Sequence, residues 1–281
     1  MRITAYVLAG DPAWAAQSLG SYYDLVDEVV VSHDRRKLSW AGHLLGVDAS
    51  VAALRSVDTE GKIRVVTGDH SDPARPTLVV ETEQRQAALD AASEGADVVL
   101  QLDTDEVVLD TSSLLRHISV MLDRGDDALE YPLRDFYSGL GGDRFLEHCR
   151  RGWRTQAAYP GPIAVRPGTP LVHCRQAAGS LYRVDVRSRN TDPWHPRSAP
   201  VHAVVRPDAA IAHLSWVRTD EEMSDKSRTS GYAAWRDWDR EIARWRWRSR
   251  HPVLASLSTP LRRDPSQRFR ISRVSVGDRT T

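Results

Sequence analysis

At 281 residues the chain is long enough for one large α/β domain, or one domain with an appendage. Its 41% hydrophobic and 27% charged residues are ordinary for a soluble globular protein, and 38 basic residues balance 38 acidic ones, which argues against a general nucleic-acid binder. No run approaches the roughly 18 apolar residues of a membrane span, the start breaks too early at Gly10-Asp11 for a signal peptide, and Cys149 and Cys174 make no disulfide scaffold. A cytoplasmic protein with two free thiols is the expectation.

Strand and helix patterns alternate through the first half. Ile3 to Leu8 predicts a first strand. Asp11 and Pro12 then predict a helix, as N-cap and first helical residue, running to about Tyr23. Val26 to Ser32 predicts a second strand, followed by His33-Asp34. Asp48 is placed to cap a short helix to about Val57, and Lys62 to Thr67 predicts a third strand. Residues 68 to 76, rich in Gly, Asp and Pro, predict a loop. Thr82 to Ser93 has helical spacing and stops at Gly95. Val98 to Leu102 predicts a buried fourth strand, and Thr111 a helix to Leu122. Four such alternations predict a mostly parallel sheet flanked by helices, an architecture whose ligands are often nucleotides.

The second half changes character. Ala128 to Leu133 predicts a strand. Residues 137 to 200 are rich in Gly, Pro and Arg, with short strands expected at Ile163 to Val165, Leu171 to His173 and Leu181 to Val186. Ala210 to Trp216 predicts another strand. Thr219-Asp220-Glu221-Glu222 is a capping box opening a helix to about Arg250, with a break expected near Gly231. The residues after Pro260 are Arg- and Ser-rich, and partial disorder is expected there. The organisation expected is a ligand-binding α/β half at 1–127, an irregular α+β half of the same domain at 128–218, and a C-terminal helix and tail at 219–281.

The chemistry concentrates at Leu102-Asp103-Thr104-Asp105-Glu106, where an apolar run ends in three carboxylates within four residues. Such acids sit at the carboxyl end of a strand, where open α/β sheets hold their ligands. Clustered acids repel unless a cation or donors compensate, and hard carboxylate oxygens suit Mg²⁺ or Mn²⁺. His148-Cys149 and His173-Cys174 lack the spacing of a zinc site. In the segment from Tyr232 to Trp247, Trp235, Trp238 and Trp245 fall near one helical face and Trp247 lies off it. That face packs as core or lid, or touches a membrane surface or a partner.

The order of parts resembles a GT-A glycosyltransferase of the broad family 2. Locally it is similar to bacterial relatives of the β-1,4-N-acetylglucosaminyltransferases that modify N-glycans. The resemblance spans roughly residues 1 to 235. It rests on Arg85-Gln86-Ala87-Ala88-Leu89 through Gly95-Ala96-Asp97 to Asp105-Glu106, and on Ile211-Ala212-His213-Leu214-Ser215-Trp216 followed by Lys226. Gln86 stands where family members carry Asn.

The resemblance implies a GT-A, Rossmann-like sheet and an enzyme that moves a sugar from a nucleoside-diphosphate donor to an acceptor hydroxyl with inversion. It also implies a divalent cation, Mn²⁺ or Mg²⁺. Ala9, Gly10, Asp11, Asp34, Arg85, Asp103 and Lys226 are then donor-binding candidates. Asp105 is the direct metal ligand, with Asp103 and His213 as its companions. Asp135, Glu106 and Glu147 are the candidates for the base. The acceptor is open among glycan, lipid-linked sugar, protein and small metabolite, and no nucleic acid is expected. A rival reading is a haloacid-dehalogenase-like phosphatase, but the Asp-x-Asp follows three strands rather than opening the chain. A sugar nucleotidylyltransferase would need a Gly-rich basic loop where Asp11-Pro12-Ala13-Trp14 stands. A non-enzymatic reading is an interaction module using the Arg/Trp-rich end.

Overall fold

The structure, a computed structural model, describes residues 1–229 and 237–277. The first half alternates as its sequence requires. In chain order it contains β1 (Ile3–Leu8), α1 (Ala15–Gly20), β2 (Glu28–Asp34), α2 (Val47–Arg55), β3 (Ile63–Gly68), α3 (Thr77–Ala92), β4 (Val98–Gln101), β5 (Glu106–Val108) and α4 (Thr111–Arg124). The second half is strand-rich: β6 (Ala128–Glu130), β7 (Leu133–Gly139), β8 (Arg144–Arg150), β9 (Arg154–Thr155), β10 (Ala164–Val165), β11 (Leu171–His173), β12 (Gln176–Ala177), β13 (Leu181–Asp185), β14 (Ala203–Val204) and β15 (Ile211–His213). The helices α5 (Asp220–Thr229), α6 (Trp238–Arg250) and α7 (Pro252–Leu257) precede a last strand, β16 (Phe269–Arg273).

Eight strands form one sheet in the order β14-β13-β6-β10-β4-β1-β2-β3. Only β10 runs antiparallel to its neighbours; the other pairs are parallel. Alternation along each strand builds the two faces. Ile3, Ala5, Val7, Val29, Val31 and Leu100 pack with Leu19 of α1, Leu54 of α2 and Ile118 of α4. Tyr6, Val30 and Val99 turn the other way, onto Ala88, Leu89 and Ala92 of α3. The result is a three-layer α/β fold with a mostly parallel sheet. The chain leaves β1 toward β2 and β3 on one side and returns through α3 to β4 on the other. The gap between β1 and β4 is therefore a topological switch point, where such sheets open a crevice.

A second sheet, ordered β16-β8-β7-β15-β5, lies across the carboxyl edge of the first half. Its core combines aromatics with ion pairs. Phe136 and Phe145 pack together on one face, Tyr137, Trp245 and Phe269 on the other. Glu147, fully buried, receives both Arg134 and Arg270.

Several sequence expectations shift. Asp11 does not cap α1, because its Oδ1 accepts Ala13 N–H in a turn before the helix, and Trp14 takes the cap position. Gly46 precedes α2, while Asp48 pairs with Lys37 at 2.7 Å. Asp110, rather than Thr111, caps α4 by accepting Ser113 N–H. The segment after Pro260 is not disordered where described, since β16 pairs with β8 over five residues. The capping box at α5 forms both of its reciprocal bonds. Gly231, Tyr232 and Trp235 lie outside the described residues.

Candidate functional site

A cleft of about 570 Å³ opens at the switch point. Its floor is the end of β1, with Ala9, Gly10 and Asp11. Asp103, Thr104, Asp105 and Glu106 after β4 form one wall. Gly10 leaves room for Leu45, whose Cδ1 would lie 3.2 Å from an added Cβ. Asp34, Gln84, Arg85, Asp135, His213 and Lys226 also line it. Most candidates named from sequence thus meet in one place, though not in equivalent states.

Register explains the meeting. β15 lies between β7 and β5, and its pairing sets His213 beside Asp135 on one side and Glu106 on the other. His213 Nδ1 is 2.5 Å from Asp135 Oδ1, and its Nε2 is 3.7 Å from Asp105 Oδ1. Burial would lower the His213 pKa, but the charge and hydrogen bond of Asp135, with the charges of Asp105 and Glu106, push it up to about 9. Burial would raise Asp135, and the facing His213 holds it low instead.

Asp103 and Asp105 have different partners. Asp103 receives Arg85 through both oxygens, at 2.9 and 3.3 Å, and Arg175 lies 3.8 Å away. These two guanidiniums outweigh burial and keep its carboxyl well below the usual range. Arg85 is itself braced by Glu81 at 2.9 Å. Asp105 Oδ2 accepts Arg218 Nη2 at 2.9 Å and lies 3.7 Å from Lys226 Nζ. Burial would raise Asp105, while Lys226, His213 and Arg218 hold it low. The Lys226 ammonium is pulled down by burial and by Arg218, against the charge of Asp105.

Glu106 is sealed in the protein. Arg175 holds both its oxygens, at 2.7 and 2.5 Å, and the Asp103 amide donates to Oε2 at 3.0 Å. Glu147 is sealed in the same manner by Arg134 and Arg270. Asp34 serves the loop after β2, accepting the amides of Arg36, Leu38 and His70. Gln86 points away from the aspartates and accepts Leu171 N–H.

Two arginines of this site, Arg175 and Arg218, are not among the residues expected from sequence. Arg218 bridges Asp11 at 2.5 Å and Asp105 at 2.9 Å. Its position just past the Ile211–Trp216 segment was the available signal. Arg175 sits at the tip of the β11–β12 hairpin, where Cys174 takes φ 50°. Gln101, buried within β4, donates to the carbonyls of Pro162 and Arg175 and so fixes that loop. Gly161 permits the approach, because an added Cβ would meet the Arg175 carbonyl oxygen at 2.8 Å. Nothing local in the sequence marks this long-range pairing.

Asp105 and His213 form an oxygen–nitrogen donor pair of a kind divalent ions accept. Asp135 behind His213 fixes the orientation of the imidazole through its Nδ1. Among the described residues, no three His, Cys, Asp or Glu side chains gather into a ligand set. Ions of the magnesium type are commonly held through one or two carboxylates with phosphate and water; Asp105 supplies one carboxylate, and His213 becomes a second donor only in its neutral form.

No protein-family model matches the chain, and no curated protein matches it. Among solved structures, it is similar to 4-diphosphocytidyl-2C-methyl-D-erythritol synthase from Anaerococcus prevotii DSM 20548, at 14% identity, 59% of this chain, 70% of that chain and TM-score 0.35. It is similar to mannosyltransferase PcManGT from Pyrobaculum calidifontis, in complex with GDP-Man and Mn²⁺, at 17% identity, 46% of this chain, 35% of that chain and TM-score 0.32. It also resembles CMP:2-keto-3-deoxy-manno-octonic acid synthetase complexed with CTP, at 13% identity, 48% of this chain, 52% of that chain and TM-score 0.29. The chain spans about a third of the mannosyltransferase and about half of the synthetase.

Proposed function

We propose that the chain is a metal-assisted glycosyltransferase of the GT-A type, moving a sugar from a nucleoside diphosphate to an acceptor hydroxyl with inversion. The observation that carries this reading is the Asp105–His213–Asp135 arrangement at the β1–β4 crevice, 3.7 and 2.5 Å between successive partners. Ala9, Gly10 and Asp11 receive the nucleoside end of the donor, and Asp34 shapes the loop beside it. Arg85 fixes Asp103, and Arg218 and Lys226 face the diphosphate. Asp105 and the neutral form of His213 would hold a divalent ion, Mn²⁺ or Mg²⁺, which would offset the charge that develops on the leaving diphosphate.

In the reaction the acceptor oxygen forms a bond to the anomeric carbon while the bond from that carbon to the diphosphate oxygen breaks. The hydroxyl proton needs a carboxylate. With Glu106 and Glu147 each enclosed by arginines, Asp135 is the remaining base among those considered. Its side chain is 35% exposed and lines both the cleft and a neighbouring cavity of about 620 Å³. The same carboxylate orients His213, and Asp135→Asn separates the two roles. As a base, the variant keeps donor affinity and loses turnover; as a positioning residue only, it loses metal-dependent donor affinity.

Calorimetric titration of UDP and GDP, each with Mn²⁺ and with EDTA, tests the reading. GDP-Man and Mn²⁺ are the donor and ion named for the mannosyltransferase. Metal-dependent binding that disappears in Asp105→Ala is the expected result. Absence of nucleotide binding with either base would overturn the proposal.

A further inference from the structure

The helix expected to offer a tryptophan face turns that face inward. Trp245 is buried, donating its indole N–H to the carbonyls of Tyr137 and Trp216, and Trp238 stacks on Trp216 within the cleft wall. The apolar surface lies instead at the next corner, where α6 ends and α7 begins.

Six large apolar side chains are exposed there: Trp153, Trp247, Val253, Leu254, Leu257 and Leu261. Val253, Leu254 and Leu257 are spaced one and four apart on α7, so they share one face, while Ala255 turns into the core. Trp153 joins them by donating its indole N–H to Ser256 O at 3.0 Å. Leu261, 86% exposed, lies on the turn after α7, which contacts both α7 and the turn carrying Trp153. Scattered exposed leucines are ordinary, but a contiguous apolar face marks a contact surface.

Charge identifies the partner. Residues 242–263 carry six arginines and no aspartate or glutamate, in a chain of zero net charge. Arg244 and Arg246 are paired with Glu241 and Asp220. Arg250, Arg262 and Arg263 are exposed, and among the described residues they have no ion pair. Leucines and tryptophans at the centre with free arginines at the rim match an anionic bilayer surface, which takes apolar side chains into its acyl boundary and guanidiniums at its phosphates. Among the described residues no helix is long and apolar enough to cross a membrane, so the contact is with the surface.

We infer that the α6–α7 corner docks the protein on an anionic phospholipid surface. This inference does not depend on the transferase reading. It does place the surface near the cleft, because the 13 residues of α6 run from Trp238 at the cleft to the corner, a length of about 20 Å.

Vesicle co-sedimentation of the full chain tests it, with phosphatidylcholine vesicles and with vesicles also containing phosphatidylglycerol. The chain is expected to bind the anionic vesicles and not the neutral ones. Leu254→Asp/Leu257→Asp, exposed positions whose change leaves thermal unfolding near wild type, is expected to weaken binding at least about tenfold. Arg262→Gln/Arg263→Gln is expected to weaken it about fivefold per arginine removed, with the remainder reduced by salt. Equal binding to both vesicle types, wild-type binding by the leucine variant, or no binding at all would overturn the inference. So would a concentration-dependent dimer, seen by sedimentation velocity without lipid, that the leucine variant abolishes while vesicles stay unbound. The corner would then be an interface between copies of the chain.

Discussion

The two sheets are stabilised by different means. The eight-stranded sheet buries Val29, Val31, Val98 and Leu100 between helices, with the Arg183–Glu130 pair near its β13 side and Asp103 and Asp105 past the carboxyl end of β4. The second sheet places Glu147 with Arg134 and Arg270 inside itself, and it sets His213 against Asp135 by strand register. An apolar core tolerates small changes of volume at moderate cost. A buried ion cluster is intolerant of losing one partner, because the charge left behind has neither water nor a counterion. The difference shows that the cleft is assembled from an apolar floor and a wall specified by polar pairing.

The sharpest way to break this comparison is Glu147→Ala, which strands two arginines. A loss of about 3–5 kcal/mol is expected by denaturant unfolding. Leu100→Ala in the parallel sheet is expected to cost about 3 kcal/mol and to leave a cavity. If Glu147→Ala proves as mild as a surface change, the second sheet is not held by its ion cluster.

Asp105→Ala addresses the site rather than the fold. Under the proposed transferase reading, turnover is expected to fall at least about a hundredfold, with unfolding little changed. Unaltered turnover would remove Asp105 from the machinery.

The His213–Asp135 pair makes a pH prediction. The histidine titrates near 6.5 when unfolded and at about 9 when folded, so its pair stabilises the protein fully below pH 6.5. That contribution, of the order of 3 kcal/mol without metal, is lost as pH rises through 9. Asp135→Asn should flatten stability between pH 6.5 and 9; a decline as steep as wild type would assign the titration elsewhere.

The smallest expected effect is at α5. Thr219→Ala removes the hydroxyl that accepts Glu222 N–H and should cost about 1 kcal/mol by thermal unfolding. A loss confined to α5 would show as faster amide exchange there, which would sharpen the distinction between this peripheral helix and the two sheets.

The sequence by itself determined the layered α/β half, because short continuous apolar runs alternating with helical segments and punctuated by Gly, Pro and Asp have few other ways to be buried. It also located Asp103 and Asp105 at the end of an apolar run and the capping box at Thr219, since each depends on residues close in the chain, whereas Asp135 and His213 stood out only through the family resemblance. Only the tertiary structure decided which acids are enclosed by arginines. Glu106 and Glu147 read like any other carboxylate until Arg175, Arg134 and Arg270 arrive from distant segments to enclose them. Arg218 became a site residue only when β15 carried it between Asp11 and Asp105. The tryptophans of α6 were legible as a stripe, but the side of the helix that meets the core is fixed by packing against Tyr137 and Trp216. Local pattern follows from backbone geometry and apolar spacing, whereas the partner of a charge depends on long-range register, which one chain of letters does not encode locally.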